Sequence, residues 1–316
     1  MVKKSLGQIL LLLLTLSLSS CKVDPEFSAR NYKAEKIIVV VIDGPRYSET
    51  WGDSTLQYMP FQKQISKNGV LFTSFFNYGV TNTVNGHTAI TTGTYESLDN
   101  NGNEIPMYPS YFQVWRKVYN QDSARAWIVT SKDKLEVLKN CSQTDYANKY
   151  MPSTNCGNNG LATGYRNDIV TLNKSLSVMK KFAPDIMLIQ FKEPDASGHA
   201  GDWNGYLNGI RATDSCVKVI YDFINKSKDY KDKTALFITN DHGRHLDTVQ
   251  DGFVSHGCSC NGCRHISLLA TGPDFEAGTI INAPYGQTDL TATIAEMLHI
   301  RLEQNNGSII KELFNK

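Results

Sequence analysis

The sequence predicts an α/β fold built on a doubly wound sheet. Two observations support this prediction. Short β-branched apolar runs recur along the chain, and segments with apolar residues at three- and four-residue spacing lie between them. The first run, residues 36–43, is apolar without alternation, which is typical of a strand that is covered on both faces.

The other elements follow in alternation along the chain. Similar apolar runs predict further strands at residues 125–130, 185–190, 234–239 and 265–271. Helical spacing predicts helices at residues 56–68, 111–119, 167–182, 203–223 and 289–298. Stretches rich in Asn, Gly, Ser and Pro near residues 95–110 and 140–165 are predicted to be loop insertions.

The length and charge of the chain limit the functions to consider. Its 316 residues suit one large α/β domain, which we place at residues 36–316 because no clear linker divides it. The formal net charge of +1 becomes −1 when Lys3 and Lys4 are removed with residues 1–20. Without a basic surplus, we expect no nucleic-acid-binding surface.

The N-terminus is typical of a targeting segment. Two lysines precede an uncharged, leucine-rich stretch at residues 6–20, which is shorter than the about 20 residues needed to span a bilayer. The Leu-Ser-Ser-Cys that ends at Cys21 resembles the lipobox of bacterial lipoproteins. We therefore expect a signal peptide at residues 1–20, a lipid on Cys21 and a tether at residues 21–35. The protein would be exported to the periplasm or cell envelope and anchored to a membrane. The alternative is a plain signal peptide with an incidental cysteine.

Six further cysteines follow this segment: Cys141, Cys156, Cys216, Cys258, Cys260 and Cys263. A bridge between the first two would close a polar loop and contribute about 3 kcal/mol. The last three lie in a tight Cys-Ser-Cys-Asn-Gly-Cys loop, which leaves metal binding and a local disulfide as alternatives. We assign no catalytic role to any of them.

Carboxylates and imidazoles follow the predicted strands near the points where those strands end. These residues are Asp43, Asp195, His199, Asp241, His242 and His256. In α/β proteins the carboxyl ends of the strands form the ligand-binding edge, so these side chains should converge. Asp and His are ligands that Zn²⁺ uses, and the set is large enough for two ions. Taken singly, each has a structural alternative; Asp43, for example, could be a helix N-cap.

A threonine lies between the first and second of these motifs. Thr83 is part of Thr-Asn-Thr-Val-Asn-Gly-His, just before a short helix predicted at residues 88–92. A hydroxyl at a helix N-terminus lies near backbone N–H groups and the positive end of the dipole, which suits a nucleophile that attacks a phosphoryl or sulfuryl centre. The alternative is an N-cap threonine.

Together these motifs resemble the alkaline phosphatase superfamily, most closely its nucleotide pyrophosphatase/phosphodiesterase branch and the related Thr-nucleophile phosphatases. The resemblance covers residues 36–300 and implies a three-layer sandwich around a mixed, mainly parallel sheet. It also implies a site for two Zn²⁺ ions, although other divalent metals are possible. One ion would be bound by Asp195, His199 and His256. The other would be bound by Asp43, Asp241, His242 and the nucleophile Thr83.

The sequence departs from this branch around the nucleophile. Val-Asn-Gly stands between Thr83 and His87, where the branch usually has Pro-Asn. An asparagine about twenty residues downstream normally binds the phosphoryl group, and we expect Asn103 in this role, with Asn101 as the alternative. His87 is expected to support the nucleophile turn. His245 is expected to be structural or to support a metal ligand.

A second cationic motif bears on the choice of substrate. Lys132 and Lys134 resemble a Lys-Asp-Arg stretch that binds phosphate in Thr-nucleophile monoesterases, with Lys134 in place of Arg. The alternative is an exposed charge run at a helix start. Two cations near the non-bridging oxygens would favour a dianionic monoester.

The resemblance implies a metal-dependent hydrolase of small-molecule phosphoesters that acts by double displacement through a phosphothreonine, with monoesters slightly favoured. One alternative is a phosphodiesterase or nucleotide pyrophosphatase, or a sulfate or phosphonate ester hydrolase, on the same site. Another is a binding lipoprotein without turnover. The absence of Cys-x-Pro-x-Arg argues against a formylglycine sulfatase.

Overall fold

A mixed sheet of nine strands forms the centre of residues 30–315, the part of the chain that the computed structural model describes. The strands are β1 Lys36–Ile42, β2 Val70–Phe76, β3 Ala126–Thr130, β4 Ser153–Cys156, β5 Ile186–Phe191, β6 Thr234–Asn240, β7 His265–Thr271, β8 Thr279–Ile281 and β9 Tyr285–Gly286. The expected signal peptide, the lipidation site Cys21 and the tether as far as residue 29 lie outside the described residues.

Strand order and direction give the sheet its mixed character. The order is β4-β3-β5-β1-β6-β7-β2-β8, with β9 paired to β2. Strands β4, β3, β5, β1 and β6 run parallel, whereas β7 is antiparallel to both of its neighbours, β6 and β2. In the middle of the sheet, Val39 pairs with Leu188 on one side and with Phe237 on the other.

All five predicted strands are present, each with bounds within a residue or so of the prediction. The sequence did not indicate β2, β4, β8 or β9. Strand β2 carries Thr73 and Ser74 at a register shift, which interrupts its apolar run. Strand β4 is polar and lies within the segment predicted to be a loop insertion, and β8 and β9 are only two or three residues long.

Eight α-helices lie between or after the strands in the described chain. They are α1 Pro60–Ile65, α2 Thr83–Thr92, α3 Tyr111–Tyr119, α4 Asp168–Phe182, α5 Asp195–His199, α6 Trp203–Lys226, α7 Asn261–Arg264 and α8 Gln287–Met297. The predicted helix at 56–68 is shorter than expected because it begins at Pro60, a residue that favours the first turn, and its end is a 3₁₀ turn. Helix α2 is longer than the predicted residues 88–92, since it begins at Thr83.

The helices cover both faces of the sheet, so the predicted three-layer sandwich is confirmed. On one face, α1, α4 and α6 pack against side chains from alternate positions of β1, including Ile38 and Val40. Helices α2, α3 and α8 contact one another in the other helical layer. Val39, Val40 and Val41 are completely buried, as expected for a strand covered on both faces.

This topology brings several chain segments to one edge of the sheet. The parallel strands β3, β5, β1 and β6 are adjacent, so their carboxyl ends lie side by side. Strand β2 points the same way, and the antiparallel β7 begins where its neighbours end. Loops that follow five strands and the loop that precedes β7 therefore meet at this edge.

No helix in residues 30–315 combines the length and the apolar character that crossing a bilayer requires.

Asp214 joins two helices on one side of the sheet. From the middle of α6, its buried carboxylate accepts hydrogen bonds from the backbone N–H groups of Phe61 (2.9 Å) and Gln62 (3.0 Å) in α1. These are N–H groups that a helix leaves without an intrahelical partner. Burial raises the pKa of Asp214. These contacts give Asp214 a role in polar support of α1.

We predict that Asp214→Ala lowers the free energy of unfolding by about 1–3 kcal/mol, because two buried N–H groups lose their acceptor. Urea denaturation followed by circular dichroism measures the change. The matched control is Asp222→Ala on the same helix, which breaks only a surface pair with Lys218 and should cost less than about 1 kcal/mol. Equal stabilities of the two variants would contradict the capping role.

Candidate metal centre

Six predicted ligands converge at the shared edge of the sheet. Asp43 follows β1, Asp241 and His242 follow β6, Asp195 and His199 lie at the two ends of α5 just after β5, and His256 precedes β7. Of this group, only His199 is exposed to solvent. Asp195 and His199 are four residues apart in the short helix α5, which places them on one face of it.

The first predicted triad has the spacing of a metal site. Asp195 Oδ1 lies 3.4 Å from both His199 Nε2 and His256 Nε2, and the two imidazole nitrogens are 3.0 Å apart. Ligand atoms about 2.0–2.2 Å from a tetrahedral Zn²⁺ are about 3.3–3.5 Å from one another. The three atoms can therefore bind a single ion.

The second predicted triad has similar spacing, and three of its polar atoms without hydrogen-bond partners lie close to one another. His242 Nε2 lies 3.5 Å from Asp43 Oδ1 and 3.4 Å from Asp241 Oδ2. All three atoms are buried and none has a hydrogen-bond partner. Buried polar atoms normally have partners, so three adjacent orphans indicate a site that is completed by a cation.

The other oxygen of each of these carboxylates is fixed by hydrogen bonds. Asp43 Oδ2 accepts from Gln190 Nε2 at 2.8 Å, and Asp241 Oδ1 accepts from the backbone N–H groups of His242 (2.9 Å) and Gly44 (3.2 Å). One oxygen thus orients each group while the other remains available to a metal, as in many metal sites.

The two triads lie close together, and His242 of the second triad is near ligand atoms of the first. The ring of His242 stacks on that of His256 at 3.8 Å, and ligand atoms of Asp195, His242 and His256 lie within 4.8 Å of one another. The sequence did not indicate this shared position for His242.

His242 and His256 each use Nδ1 for a hydrogen bond, which leaves Nε2 to bind a metal. His242 Nδ1 donates to the carbonyl of Gly243 at 2.9 Å, and His256 Nδ1 donates to the carbonyl of Thr81 at 2.7 Å, because a carbonyl can only accept. Burial lowers the pKa of His256 to about 4 and that of His242 well below its usual value. Both rings are therefore neutral near pH 7, the form that binds a metal.

The buried carboxylates repel one another. Burial raises the pKa of Asp43 to about 7, against the attraction of Lys132, and burial together with Asp43 raises the pKa of Asp241 well above its usual value. Burial also disfavours charge on Asp195, but Lys132 and Arg244 outweigh it and lower the pKa of this carboxyl. A divalent cation would relieve the repulsion, so these residues fit the metal ions that the resemblance implies.

Lys132 links the two triads to Thr83. Its Nζ donates to Asp195 Oδ2 (2.6 Å) and Thr83 Oγ1 (3.1 Å) and lies 2.9 Å from Asp43 Oδ2. Although burial disfavours its charge, Asp195 and Asp43 raise the pKa of Lys132, so it stays protonated. The alternative interpretation of this stretch as an exposed charge run is wrong, because Lys132 and Lys134 are both buried.

Thr83 is the first residue of α2 and is buried. Its carbonyl accepts from His87 Nδ1 at 2.8 Å, which agrees with the expected support of the turn by His87. Gly86, part of the departure from the family pattern, lies against Asp241: a Cβ there would be 2.4 Å from the Asp241 carbonyl oxygen. Glycine therefore allows α2 to approach the candidate metal ligands.

The asparagine prediction needs correction. Asn103 and its alternative Asn101 are exposed, and both side chains donate to Asp99 instead of approaching Thr83. Asn100 is the residue of this loop that reaches α2, where its Oδ1 accepts from the Val84 N–H at 3.0 Å. The loop forms a tight local turn around Asp99, which sequence spacing alone did not reveal.

Lys134 lies further from the centre than Lys132, but the same charged groups act on it. Burial and the charge of Lys132 lower its pKa to about 8, in spite of the attraction of Asp43 and Asp195. It therefore remains mostly protonated at pH 7.

Sequence reasoning missed two supporting residues. Arg244, fully buried, donates to Asp195 Oδ1 and to the carbonyls of Phe253 and Val254. Gln190 accepts from the Lys132 N–H at 3.1 Å in addition to its bond to Asp43. The available signals were an arginine two residues after His242 and a polar residue near the end of an apolar strand.

None of the six cysteines in the described chain forms a disulfide. Cys141 and Cys156, which the sequence offered as a bridge, are both buried and unpaired.

A family comparison identifies the class. Residues 139–300, just over half of the chain, match the model of the Metalloenzyme superfamily, and the chain belongs to this superfamily. A 2,3-bisphosphoglycerate-independent phosphoglycerate mutase from Antithamnion sp. is 22% identical over 140 residues, which are 44% of this chain and 26% of the mutase. The chain thus matches about a quarter of that relative's length.

Solved structures show the same fold. Murine ectonucleotide pyrophosphatase/phosphodiesterase 5 aligns with a TM-score of 0.61 at 16% identity over 89% of this chain and 100% of its own. A threonine-to-alanine variant of that protein is described as inactive and was solved with AMP. An alkaline phosphatase superfamily protein from Vibrio parahaemolyticus aligns with a TM-score of 0.63 at 13% identity over 86% and 68% of the two chains. The PsFucS1 sulfatase from Pseudoalteromonas sp. gives 0.65 at 12% identity over 90% and 72%. The fold is that of the alkaline phosphatase superfamily, as predicted.

We predict that Zn²⁺ raises the melting temperature of chelator-treated protein, because only the folded state gathers the ligands. At a free concentration one hundred times the Kd, the free energy of unfolding should rise by about 2.7 kcal/mol. Differential scanning fluorimetry with and without Zn²⁺ measures the shift. Asp43→Asn should show a smaller one, and equal shifts in the two proteins would contradict the assignment.

The metal-free proteins should also differ in pH dependence. With its pKa raised to about 7, folded Asp43 retains a proton that the unfolded chain, with a pKa of about 3.9, releases. Between about pH 4 and 7, increasing pH therefore destabilises the wild type relative to Asp43→Asn, which carries no such proton. Parallel stability profiles over this range would contradict the raised pKa.

We predict that Arg244→Lys weakens Zn²⁺ binding about 10- to 100-fold, because Asp195 loses the group that orients it. Isothermal titration calorimetry on folded protein measures the affinity. Arg116→Lys is the control, since Arg116 donates to the carbonyls of Gln121 and Met151 and does not contact Asp195. Equal affinities of the two variants would show that Arg244 does not position Asp195.

Proposed function

We propose that the protein is a metal-dependent phosphoester hydrolase that acts by double displacement through Thr83. One observation carries this proposal. The Thr83 hydroxyl, at the N-terminus of α2, lies 3.1 Å from a lysine ammonium that also contacts Asp43 and Asp195, one carboxylate from each triad. A binding protein would not need a buried alcohol at this position.

The proposed reaction has two steps. Thr83 Oγ1 forms a bond to phosphorus and gives its proton to solvent, while the P–O bond to the ester oxygen breaks and that oxygen departs as the alcohol after it takes up a proton from solvent. Water then attacks the phosphothreonine, and the P–O bond to Thr83 breaks to release phosphate and restore the hydroxyl. Each step is an in-line displacement, in which positioning and charge stabilisation supply most of the rate.

The residues of this chain supply that positioning. Lys132 would contact non-bridging oxygens of the substrate while it orients Thr83, and Lys134 adds positive potential. The Val84 N–H donates to Asn100, and the positive end of the α2 dipole favours an anion beside Thr83. His87 fixes the Thr83 backbone, and Gln190 fixes both Asp43 and Lys132.

The residues that would bind the two ions are Asp195, His199 and His256 for one and Asp43, Asp241, His242 and Thr83 for the other. Two Zn²⁺ ions, or other divalent metals, would supply Lewis acidity that lowers the pKa of the attacking hydroxyl and stabilises the leaving oxygen.

Two buried lysines slightly favour small-molecule phosphomonoesters, because a dianion gains more from two cations than a monoanion. The alternative substrates are phosphodiesters or nucleotides, which the murine neighbour and its AMP complex support, and sulfate or phosphonate esters. For phosphonates the support is a similar fold in a phosphonate monoester hydrolase from Silicibacter pomeroyi. A binding lipoprotein without turnover is the non-enzymatic alternative.

The proposed location follows from the sequence alone. We propose export to the periplasm or cell envelope and a membrane anchor through lipid on Cys21, supported by the Leu-Ser-Ser-Cys sequence.

We predict that Thr83→Ala lowers kcat with a nitrophenyl phosphate monoester by at least about 1,000-fold, because the nucleophile is lost. Steady-state kinetics of the zinc-loaded protein measure the effect. Thr88→Ala, which removes a buried hydroxyl one turn further along α2, should keep most of the activity. If Thr83→Ala retained more than about a tenth of kcat, Thr83 would not be the nucleophile.

The same assay with the corresponding diester and sulfate ester ranks the substrate classes. A monoester preference that falls in Lys132→Ala, and is unchanged in the surface variant Lys139→Ala, supports the phosphomonoesterase. A preference for the diester or the sulfate in the wild type would favour the corresponding alternative.

A further inference from the structure

Three cysteines and a histidine form a second ligand cluster outside the Asp/His site. One ligand atom from each of His245, Cys258, Cys260 and Cys263 lies within 4.8 Å of the corresponding atoms of the other three. Cys258 Sγ and Cys263 Sγ are 3.7 Å apart. Sulfurs at about 2.3 Å from a tetrahedral ion are about 3.8 Å from each other, so this spacing suits two thiolates on one metal.

His245 is oriented as a ligand. It is buried, and its Nδ1 lies 2.9 Å from Asp251 Oδ1, a carboxylate oxygen that accepts a hydrogen bond from the Nδ1–H. Its Nε2 is also buried and has no hydrogen-bond partner. A carboxylate on one ring nitrogen and a free lone pair on the other is the usual arrangement of a metal-binding histidine.

The loop is also built to bring the cysteines together. The backbone N–H of Cys260 donates to Cys258 Sγ at 3.2 Å, a contact that stabilises thiolate charge. Gly243 donates its N–H to the Cys263 carbonyl at 2.8 Å, and a Cβ on Gly243 would lie 2.0 Å from the carbonyl oxygen of Gly262. Only glycine allows these two segments to touch, and this contact places His245 beside the cysteine loop.

We propose that His245, Cys258, Cys260 and Cys263 bind a third, structural metal ion, a thiophilic divalent cation such as Zn²⁺. Four protein ligands close the coordination sphere, as in structural zinc sites. Binding releases one proton from each of the three thiols and leaves His245 neutral. A disulfide would pair only two of the three sulfurs, would need an oxidant, and would leave His245 Nε2 without a partner.

The position of the cluster gives the ion a role. Cys258 is two residues from His256, and Thr81 joins them: its hydroxyl donates to the Cys258 carbonyl at 2.8 Å, and its own carbonyl accepts from His256. At the other side, His245 is three residues from His242. The ion would therefore fix the loop that carries His256 against the segment that carries Asp241 and His242.

The test measures the metal content and the sulfur atoms around zinc instead of activity, so its outcome does not depend on the proposed hydrolase function. Protein purified with Zn²⁺ and dialysed without chelator is analysed by elemental analysis and by zinc X-ray absorption. We expect a sulfur shell at about 2.3 Å in the wild type. Cys260→Ser, at a partly exposed position, should lose about one equivalent of metal and much of this shell. Cys216→Ser, a buried cysteine outside the cluster, should match the wild type.

Two further measurements keep the proposal falsifiable if Cys260→Ser does not fold. Co²⁺-substituted wild type should show thiolate-to-metal charge-transfer bands, and His245→Cys should retain a sulfur shell. A wild type without sulfur around zinc would overturn the proposal, as would Cys260→Ser with unchanged metal content. A thiol count in unreduced, denatured protein that is two lower than after reduction, with alkylation mapping the bridge to this loop, would replace the metal with a disulfide.

Discussion

Three carboxylates, those of Asp43, Asp195 and Asp241, lie fully buried at one edge of the sheet with too little positive charge beside them. Lys132 and Arg244 compensate Asp195, but Asp43 and Asp241 are left with raised pKa values and one orphaned oxygen each. Burying unpaired charge is so costly that groups usually neutralise or gain a partner. Much of the surrounding structure is consistent with this constraint: the neutral imidazoles and the fixed carboxylate orientations suit cations, and the buried Lys132 supplies part of the positive charge.

The topology explains why Asp43 and His242, 199 positions apart, can meet. Parallel strands place their carboxyl ends together, so an acidic or histidine residue after each strand is enough to build a cluster. Strand β7 is the exception that completes it, because its reversed direction brings the loop before it, with His256, to the same edge. The cysteine cluster lies at the base of that loop. The proposed third ion would thus stabilise the loop before β7, which the parallel strands alone do not position.

The sequence predicted the features that depend on local pattern. Continuous apolar runs revealed the buried strands, and Asp and His at strand ends revealed the ligands, because both signals lie in a few consecutive residues. It missed features that depend on long-range contacts. Strand β2 is interrupted by Thr73 and Ser74, and the role of Arg244 depends on a partner 49 residues away. Asn103 was chosen by spacing, but a turn around Asp99 directs Asn100 to α2 instead.

Anomalous diffraction from crystals of the zinc-loaded protein, measured at the zinc edge, tests the central claim most directly. We predict one peak within coordination distance of Asp195, His199 and His256, and a second within coordination distance of Asp43, Asp241 and His242. Lys132 Nζ should have moved away from at least one of its two carboxylates to admit them. A map without these peaks, in which Lys132 still contacts both Asp43 and Asp195, would show that the lysine itself is the counter-charge and that no metal is required.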